Sequence, residues 1–125
     1  MADAVTVQTL LDGPRNVIIK LTNLSDGTGE AAVLKADPAT FFPVPARFSL
    51  NRVEYALDGM MATLLWEGSA NKNIVHLSGT GFLDWTSTGG LPNNALAPTG
   101  KILLTTTSAG NNDSYVITLF LKKKY

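Results

Sequence analysis

The stretch FSLNRVEYALDGMMATLLW, residues 48–66, decides the fold class. Apolar residues alternate with polar ones on both sides of its centre, which is the pattern of half-buried β-strands. At the centre lies Asp58-Gly59, and Asp-Gly between two apolar runs is a strong hairpin signal, because both central residues of a type I′ turn need positive φ. The sequence therefore predicts two antiparallel strands, 48–57 and 60–66, joined by a tight turn.

The first of these strands changes its alternation part of the way along. Phe48 and Leu50 share one parity, whereas the apolar residues from Val53 to Leu57 share the other. A single extra residue must absorb this switch if all of them face one core. We therefore predict a β-bulge near Asn51-Arg52.

Outward from this stretch, the chain repeats short apolar runs that end at Gly, Pro, Asn or Asp. Residues 30–37 are too short before Pro38 for a stable helix, so a strand is favoured there, and 40–45 reads as an extended crossing between sheets. Further strands are predicted at 4–11, 15–24, 73–77, 82–85, 100–107 and 114–122. About eight antiparallel strands predict an all-β two-sheet β-sandwich or jelly roll.

Length and composition narrow the functional classes. The 125 residues suit one domain, 1–125, with extended terminal arms as candidates at 1–11 and 122–125. Ten basic residues balance ten acidic ones, which argues against a nucleic-acid partner. No apolar run is long enough to cross a membrane, and the first residues lack the pattern of a secretory signal. The absence of Cys excludes disulfides and thiol chemistry.

Catalytic and metal-binding signatures are weak. His76 is the only histidine, which excludes a multi-histidine metal site, and no serine lies in a nucleophile elbow. Glu54, Glu67 and Asp84 lie on or beside predicted strands. A glycosidase needs two such carboxylates facing each other, but solvated strand faces carry these residues routinely. We therefore expect no enzymatic activity, no metal and no cofactor.

Candidate partner contacts come from the chain ends and the tryptophans. A free end can add a strand to an exposed sheet edge, and a basic tail can reach an acidic surface. Core packing is the more common role of a tryptophan, with a partner-binding or sugar-stacking surface as the alternative. The candidate contacts are Val5, Val7, Leu10, Trp66, Trp85, Lys122, Lys123, Lys124 and Tyr125.

Four stretches together carry a family resemblance: LLDGPRNVIIK at 10–20, SDGTGE at 25–30, LLW at 64–66 and GGLPN at 89–93. They resemble small structural proteins of tailed bacteriophage virions, a group that includes β-sandwich head decoration or cement proteins. The resemblance implies a non-enzymatic protein, made in the host cytoplasm and placed on the capsid surface. There it would bridge subunits of the major capsid protein or contact other virion proteins, as a trimer or dimer.

Two other functions remain open from the sequence. One is a tail or baseplate component or a carbohydrate- or receptor-binding β-sandwich module, which predicts exposed aromatic side chains in a platform. The other is a small hydrolase on a β-scaffold, which predicts a perturbed carboxylate in a cleft.

Overall fold

The computed structural model describes residues 4–26, 32–88, 90–91, 99–107 and 110–124. Their secondary structure is almost entirely antiparallel β-sheet, with two single-turn 3₁₀ helices at Pro38–Thr40 and Thr86–Thr88. The prediction of an all-β antiparallel sandwich is confirmed. The strands are β1 (Ala4–Asp12), β2 (Asn16–Asp26), β3 (Val33–Ala36), β4 (Arg47–Trp66), β5 (Lys72–Asp84), β6 (Ile102–Thr107) and β7 (Asn111–Lys124).

Strand β4 belongs to both layers of the fold. Its first half pairs with β7, which pairs with β2 and then β1; we call these strands the first layer. Its second half pairs with β6, which pairs with β3, in the second layer. Strand β5 follows β4 along its other side through both layers. One long bent ribbon therefore joins the two layers.

The predicted hairpin at Asp58-Gly59 is wrong. The chain does not reverse there: pairing with β7 runs through Asp58, and pairing with β6 begins at Met61. Gly59 has the positive φ of 81° that the motif suggests, but it uses that conformation to bend β4 from one layer into the other. A Cβ at this position would meet the carboxylate of Asp113, which would have to move aside. The actual β4–β5 connection comes later, at 67–71.

Two predicted strands, 73–77 and 82–85, form the single strand β5. The register against β4 shifts between these two segments, and Gly79 lies at the break with φ of 69°. The predicted bulge near Asn51-Arg52 is confirmed, since the pairing of β4 with β7 skips one residue between Leu50 and Arg52. That bulge lets both apolar segments of β4 face the same core.

The core lies between the inner faces of the two layers. On β2, the alternation predicted from the sequence holds: Val17, Ile19 and Leu21 are fully buried. The odd-numbered apolar residues of β7 and the apolar residues of the second half of β4 complete the same cluster. Trp66 is the largest fully buried side chain, at 1% exposure, so its role is core packing.

The predicted terminal arms are part of the sheet instead. Residues 4–12 form β1, which pairs with β2 along its length. Lys122–Lys124 continue β7, where Lys122 pairs with both β2 and β4 and the last two lysines pair with β4. Residues 1–3 and Tyr125 lie outside the described residues. Within the described ranges, no helix has the length and apolar character needed to span a membrane.

Candidate functional site

The contact residues proposed from the sequence do not meet at one place. Trp66 is buried in the core and is excluded as a contact, and Trp85 is half-buried against the same core. Lys123 is also buried, and its ammonium group donates to Asp12 Oδ1 at 2.7 Å. Lys122 and Lys124 are half-buried on β7, while Val7 and Leu10 are exposed on β1. The side chains of Val5 and Tyr125 lie outside the description.

The outer face of the first layer brings different residues together. Because paired residues of antiparallel strands point to the same side, the register aligns outward side chains in rows across five strands. One row holds Asp84, Arg52, Phe120, Ile18 and Leu11. The next row holds Phe82, Glu54, Thr118, Lys20 and Gln8.

Arg52 binds two carboxylates, one from its own row and one from the next row. Its Nη2 and Nε donate to Glu54 Oε2 at 2.8 and 3.1 Å, and its Nη1 donates to Asp84 Oδ2 at 3.1 Å. The guanidinium is planar, so three bonds from three nitrogens fix its orientation. The side chain nevertheless stays 30% exposed.

Two aromatic rings flank this guanidinium. The Arg52 Cζ lies 4.4 Å from the centre of the Phe82 ring and 6.0 Å from that of Phe120, both within cation–π range. Phe82 is 58% exposed although it is a large apolar side chain. We call the group Arg52, Glu54, Phe82, Asp84 and Phe120 the Arg52 platform.

The local interactions favour the charged forms of Asp84 and Arg52. Hydrogen bonds from the hydroxyl and the backbone N–H of Thr86 lower the pKa of Asp84, and Arg52 adds to this effect. Hydrogen bonding first to Glu54 and then to Asp84 raises the pKa of Arg52. Since both shifts favour the charged forms, Arg52 remains a donor and Asp84 an acceptor across the physiological pH range.

Shallow depressions lie on either side of the platform. One has a volume of about 390 Å³ and is bordered by Glu54, Phe82, Val116 and Thr118 over the small Ala56. The other has a volume of about 260 Å³ and is lined by Arg52 and Phe120, together with Leu11, Asn16, Val17, Ile18, Asn51, Thr86 and Leu121. The platform is therefore the ridge between two open hollows on one face.

The structure separates the catalytic candidates. Glu54 and Asp84 meet, but both bind Arg52 and neither faces the other across a cleft. Glu67 lies at the far end of β4, where its carboxylate accepts from the Thr99 hydroxyl at 2.9 Å. His76 is exposed, and its Nδ1 lies 2.7 Å from the Thr63 hydroxyl. No paired-carboxylate or histidine-centred arrangement forms from these four side chains.

Sequence reasoning did not identify Arg52 and Phe120 as site residues. A signal was present, since Phe120 lies between the inward Leu119 and Leu121 and must therefore point outward. The register that brings it beside Arg52 and Phe82 cannot be read from a single strand. Only the pairing of β7 and β5 with β4 brings these residues together.

Of the comparisons with known proteins, only the one with solved structures found matches. No protein-family model matches the chain, and no curated protein matches it. Among solved structures, a family 29 carbohydrate-binding module aligns at 12% identity over 96% of this chain and 75% of that chain, with a TM-score of 0.42. A variant of such a module in complex with cellulohexaose aligns at 13% identity over 96% and 78%, with the same TM-score. A variant in complex with mannohexaose gives the same figures.

These findings correct one prediction. The solved structures found are carbohydrate-binding modules and not virion proteins, which contradicts the prediction of a capsid decoration protein. The prediction failed because turns and strand textures shared with virion proteins are common to β-sandwiches of many functions.

Proposed function

We propose that this protein is a non-catalytic module that binds neutral carbohydrate on the outer face of its first layer. The observation that carries the proposal is the Arg52 platform: a guanidinium fixed by two carboxylates beside an exposed phenylalanine ring. This function corresponds to the carbohydrate-binding alternative that the sequence left open. Each part of the platform matches one property of a sugar ring.

The aromatic part suits the apolar face of a pyranose. A sugar ring presents C–H groups on its faces, and these pack against flat aromatic surfaces. Phe82 offers such a surface, at 58% exposure.

The polar part suits the hydroxyl groups at the rim of a sugar. A hydroxyl both donates and accepts, so its site needs both kinds of partner. Among the described residues, Arg52 uses three of its five N–H donors, and its neighbours Glu54 and Asp84 supply acceptor oxygens. Because the side chains hold each other in place, a ligand meets groups that are already ordered.

The charge of the platform favours a neutral ligand. One arginine against two carboxylates leaves a local negative charge, which repels phosphate, sulfate and uronate groups. A neutral glycan carries no such group. The same balance disfavours a nucleic-acid phosphate at the platform itself.

The carboxylates suit binding better than hydrolysis. A glycosidase needs one carboxylic acid that keeps its proton near neutral pH, and therefore has a raised pKa. The pKa of Asp84 is lowered instead, by hydrogen bonds from Thr86 and Arg52. Asp84 therefore stays ionised and acts as a hydrogen-bond acceptor.

The experiment is a screen of the purified protein against immobilised neutral and anionic glycans, followed by calorimetry with soluble oligosaccharides that bind. Phe82→Ala and Arg52→Ala should each weaken binding at least tenfold, about 1.4 kcal/mol. Phe42→Ala and Arg47→Ala are matched controls, because both side chains are exposed and lie outside the platform. Binding of no neutral glycan, or equal losses in the controls, would overturn the proposal.

A further inference from the structure

The smaller of the two hollows beside the Arg52 platform has a lining of its own. It has a volume of about 260 Å³ and shares Arg52 and Phe120 with the platform. The rest of its described lining consists of apolar side chains and uncharged polar ones, so Arg52 is the one charged residue there. We call it the Leu11 hollow, after the leucine in its wall. A ligand on the platform lies next to this hollow.

One wall of the Leu11 hollow is apolar. Leu11, Ile18 and Phe120 are consecutive members of one row of outward side chains, on β1, β2 and β7. They form an apolar strip across three strands, in which Leu11 is 45% exposed and the other two are half-buried. A methyl group placed against this strip is removed from water at a gain. A hydroxyl in the same position loses water and finds no partner on the strip.

The hollow also offers hydrogen-bond donors. Asn51 Oδ1 is buried and, among the described residues, accepts no hydrogen bond. It is turned toward Gly90, since a Cβ on that glycine would collide with it. Asn51 lines the hollow, and its amino group, Nδ2, is the end of the side chain left to face it. Arg52 adds N–H groups beyond the three that bind Glu54 and Asp84. These donors suit a carbonyl oxygen.

An acceptor lies in the same lining. The Thr86 hydroxyl donates its proton to Asp84 Oδ1, because the ionised carboxylate has no proton to give. The Thr86 oxygen can therefore only accept further hydrogen bonds. Thr86 lines the Leu11 hollow, so an N–H group of a ligand finds an acceptor there. The hollow thus combines an apolar strip, donors and an acceptor.

We propose that the Leu11 hollow holds the acetamido group of a 2-acetamido sugar, so that the glycan bound by this protein contains N-acetylhexosamine. The inference rests on the proposed function and narrows its ligand class. An acetamido group has a methyl, a carbonyl oxygen and an N–H, which match the strip, the donors and the acceptor.

Charged substituents fit the hollow less well than the acetamido group. An ammonium group would meet Arg52 and, in the described lining, no carboxylate. A carboxylate would meet the negative balance that Glu54 and Asp84 give to the adjoining platform. The uncharged amide therefore suits the hollow best.

The test uses sugars that differ only in the substituent at C2. The purified protein is titrated against glucose, N-acetylglucosamine and glucosamine, and against the corresponding galactose series, each displayed on the same carrier. In the series that binds, the acetamido form should bind about tenfold more tightly than the hydroxyl form, since only the acetamido form fills the hollow and its hydrogen bonds. The ammonium form should bind no better than the hydroxyl form. This comparison needs no variant.

A variant then locates the preference. Leu11→Ser shortens the apolar strip at an exposed position, and it should reduce the preference for the acetamido form to about threefold or less while the hydroxyl form binds as before. Leu24→Ser is the matched control, because Leu24 is a leucine on β2 that is 52% exposed and lies outside the hollow. It should keep the full preference. Thermal unfolding of both variants checks that the fold is retained.

The outcomes separate this inference from the proposed function. Equal affinity for the acetamido and hydroxyl forms, tighter binding of the ammonium form, or equal effects of the two leucine variants would overturn the inference. If the hydroxyl forms bind as tightly and Phe82→Ala weakens them, only the ligand class is wrong and the platform still binds neutral sugar. If no sugar binds in either series or in the glycan screen, the proposed function fails and this inference fails with it.

Discussion

Two cation-centred clusters in this protein use the same chemistry at different depths. At the Arg52 platform, a guanidinium binds two carboxylates on an open face, and the three side chains are 30%, 48% and 36% exposed. At the second cluster, the fully buried Lys123 ammonium donates to Asp12 Oδ1 at 2.7 Å and to the Pro43 carbonyl at 2.9 Å. Exposure lets the first cluster meet a ligand, whereas burial makes the second a fixed connection within the fold.

The buried cluster, which we call the Lys123 latch, joins three parts of the chain. Asp12 ends β1, Pro43 lies in the crossing between the layers, and Lys123 lies near the end of β7. The other carboxylate oxygen of Asp12 accepts from the Phe42 backbone N–H at 3.1 Å. A low local dielectric makes these bonds strong and makes an unpaired partner costly. Its contribution is to stability, and four predictions separate it from the platform.

The largest effect is expected for Asp12→Ala, which leaves the Lys123 ammonium buried with the Pro43 carbonyl as its described partner. Loss of one member of a buried pair costs about 3 kcal/mol or more. Denaturant unfolding measures this as a lower midpoint with an unchanged slope. The control is Asp84→Ala, which removes an exposed aspartate that is also paired with a cation. Equal losses for the two variants would show that burial does not distinguish the clusters.

A smaller loss is expected for Lys123→Met. The remaining Asp12 is 29% exposed, so water can solvate its charge, and it keeps the bond from the Phe42 N–H. We expect about 1–2 kcal/mol from the lost hydrogen bonds, with the apolar stem retained by Met. The same unfolding experiment checks the order. A loss of stability larger than that of Asp12→Ala would mean that the unpaired aspartate, and not the unpaired lysine, carries the greater cost.

Acid should remove the stabilisation that Asp12 contributes to the latch. The hydrogen bond from Lys123, followed by that from Phe42, lowers the pKa of Asp12 in the folded protein. As the pH falls, the Asp12 carboxylate is protonated first in the unfolded state. The stabilisation that its charged form gives the folded protein is therefore complete above about pH 4 and is lost below it. Unfolding free energies measured between neutral pH and pH 3 should decline more steeply in the wild type than in Asp12→Asn. Parallel curves would contradict this account.

The smallest stability effect is expected for Arg52→Met. Exposed ion pairs contribute little to stability, because water solvates both partners and salt screens them. Thermal unfolding should therefore be close to that of the wild type, while glycan binding is lost. A marked drop in the unfolding temperature would show that the platform is a structural element like the latch.

Local signals in the sequence predicted much of the fold. The parity switch between Leu50 and Val53 located the β4 bulge, because a bulge is a property of one strand and its alternation. The alternation in β2 likewise identified its buried face. The Asp58-Gly59 signal gave the right conformation at Gly59 but the wrong role, since positive φ serves a bend as well as a turn, and the paired strands decide between them.

The sequence by itself determined the fold class, because period-two alternation with turn residues at regular intervals specifies an antiparallel β-protein. It did not determine what the charged side chains do. Lys123 reads as part of a basic tail and Arg52 as an ordinary strand residue. In the structure Lys123 is buried in the latch, whereas Arg52 lies on an open face between two carboxylates and two phenylalanine rings. Alternation acts within one strand, whereas burial and pairing depend on the register between strands far apart in the chain. Only the tertiary structure sets that register.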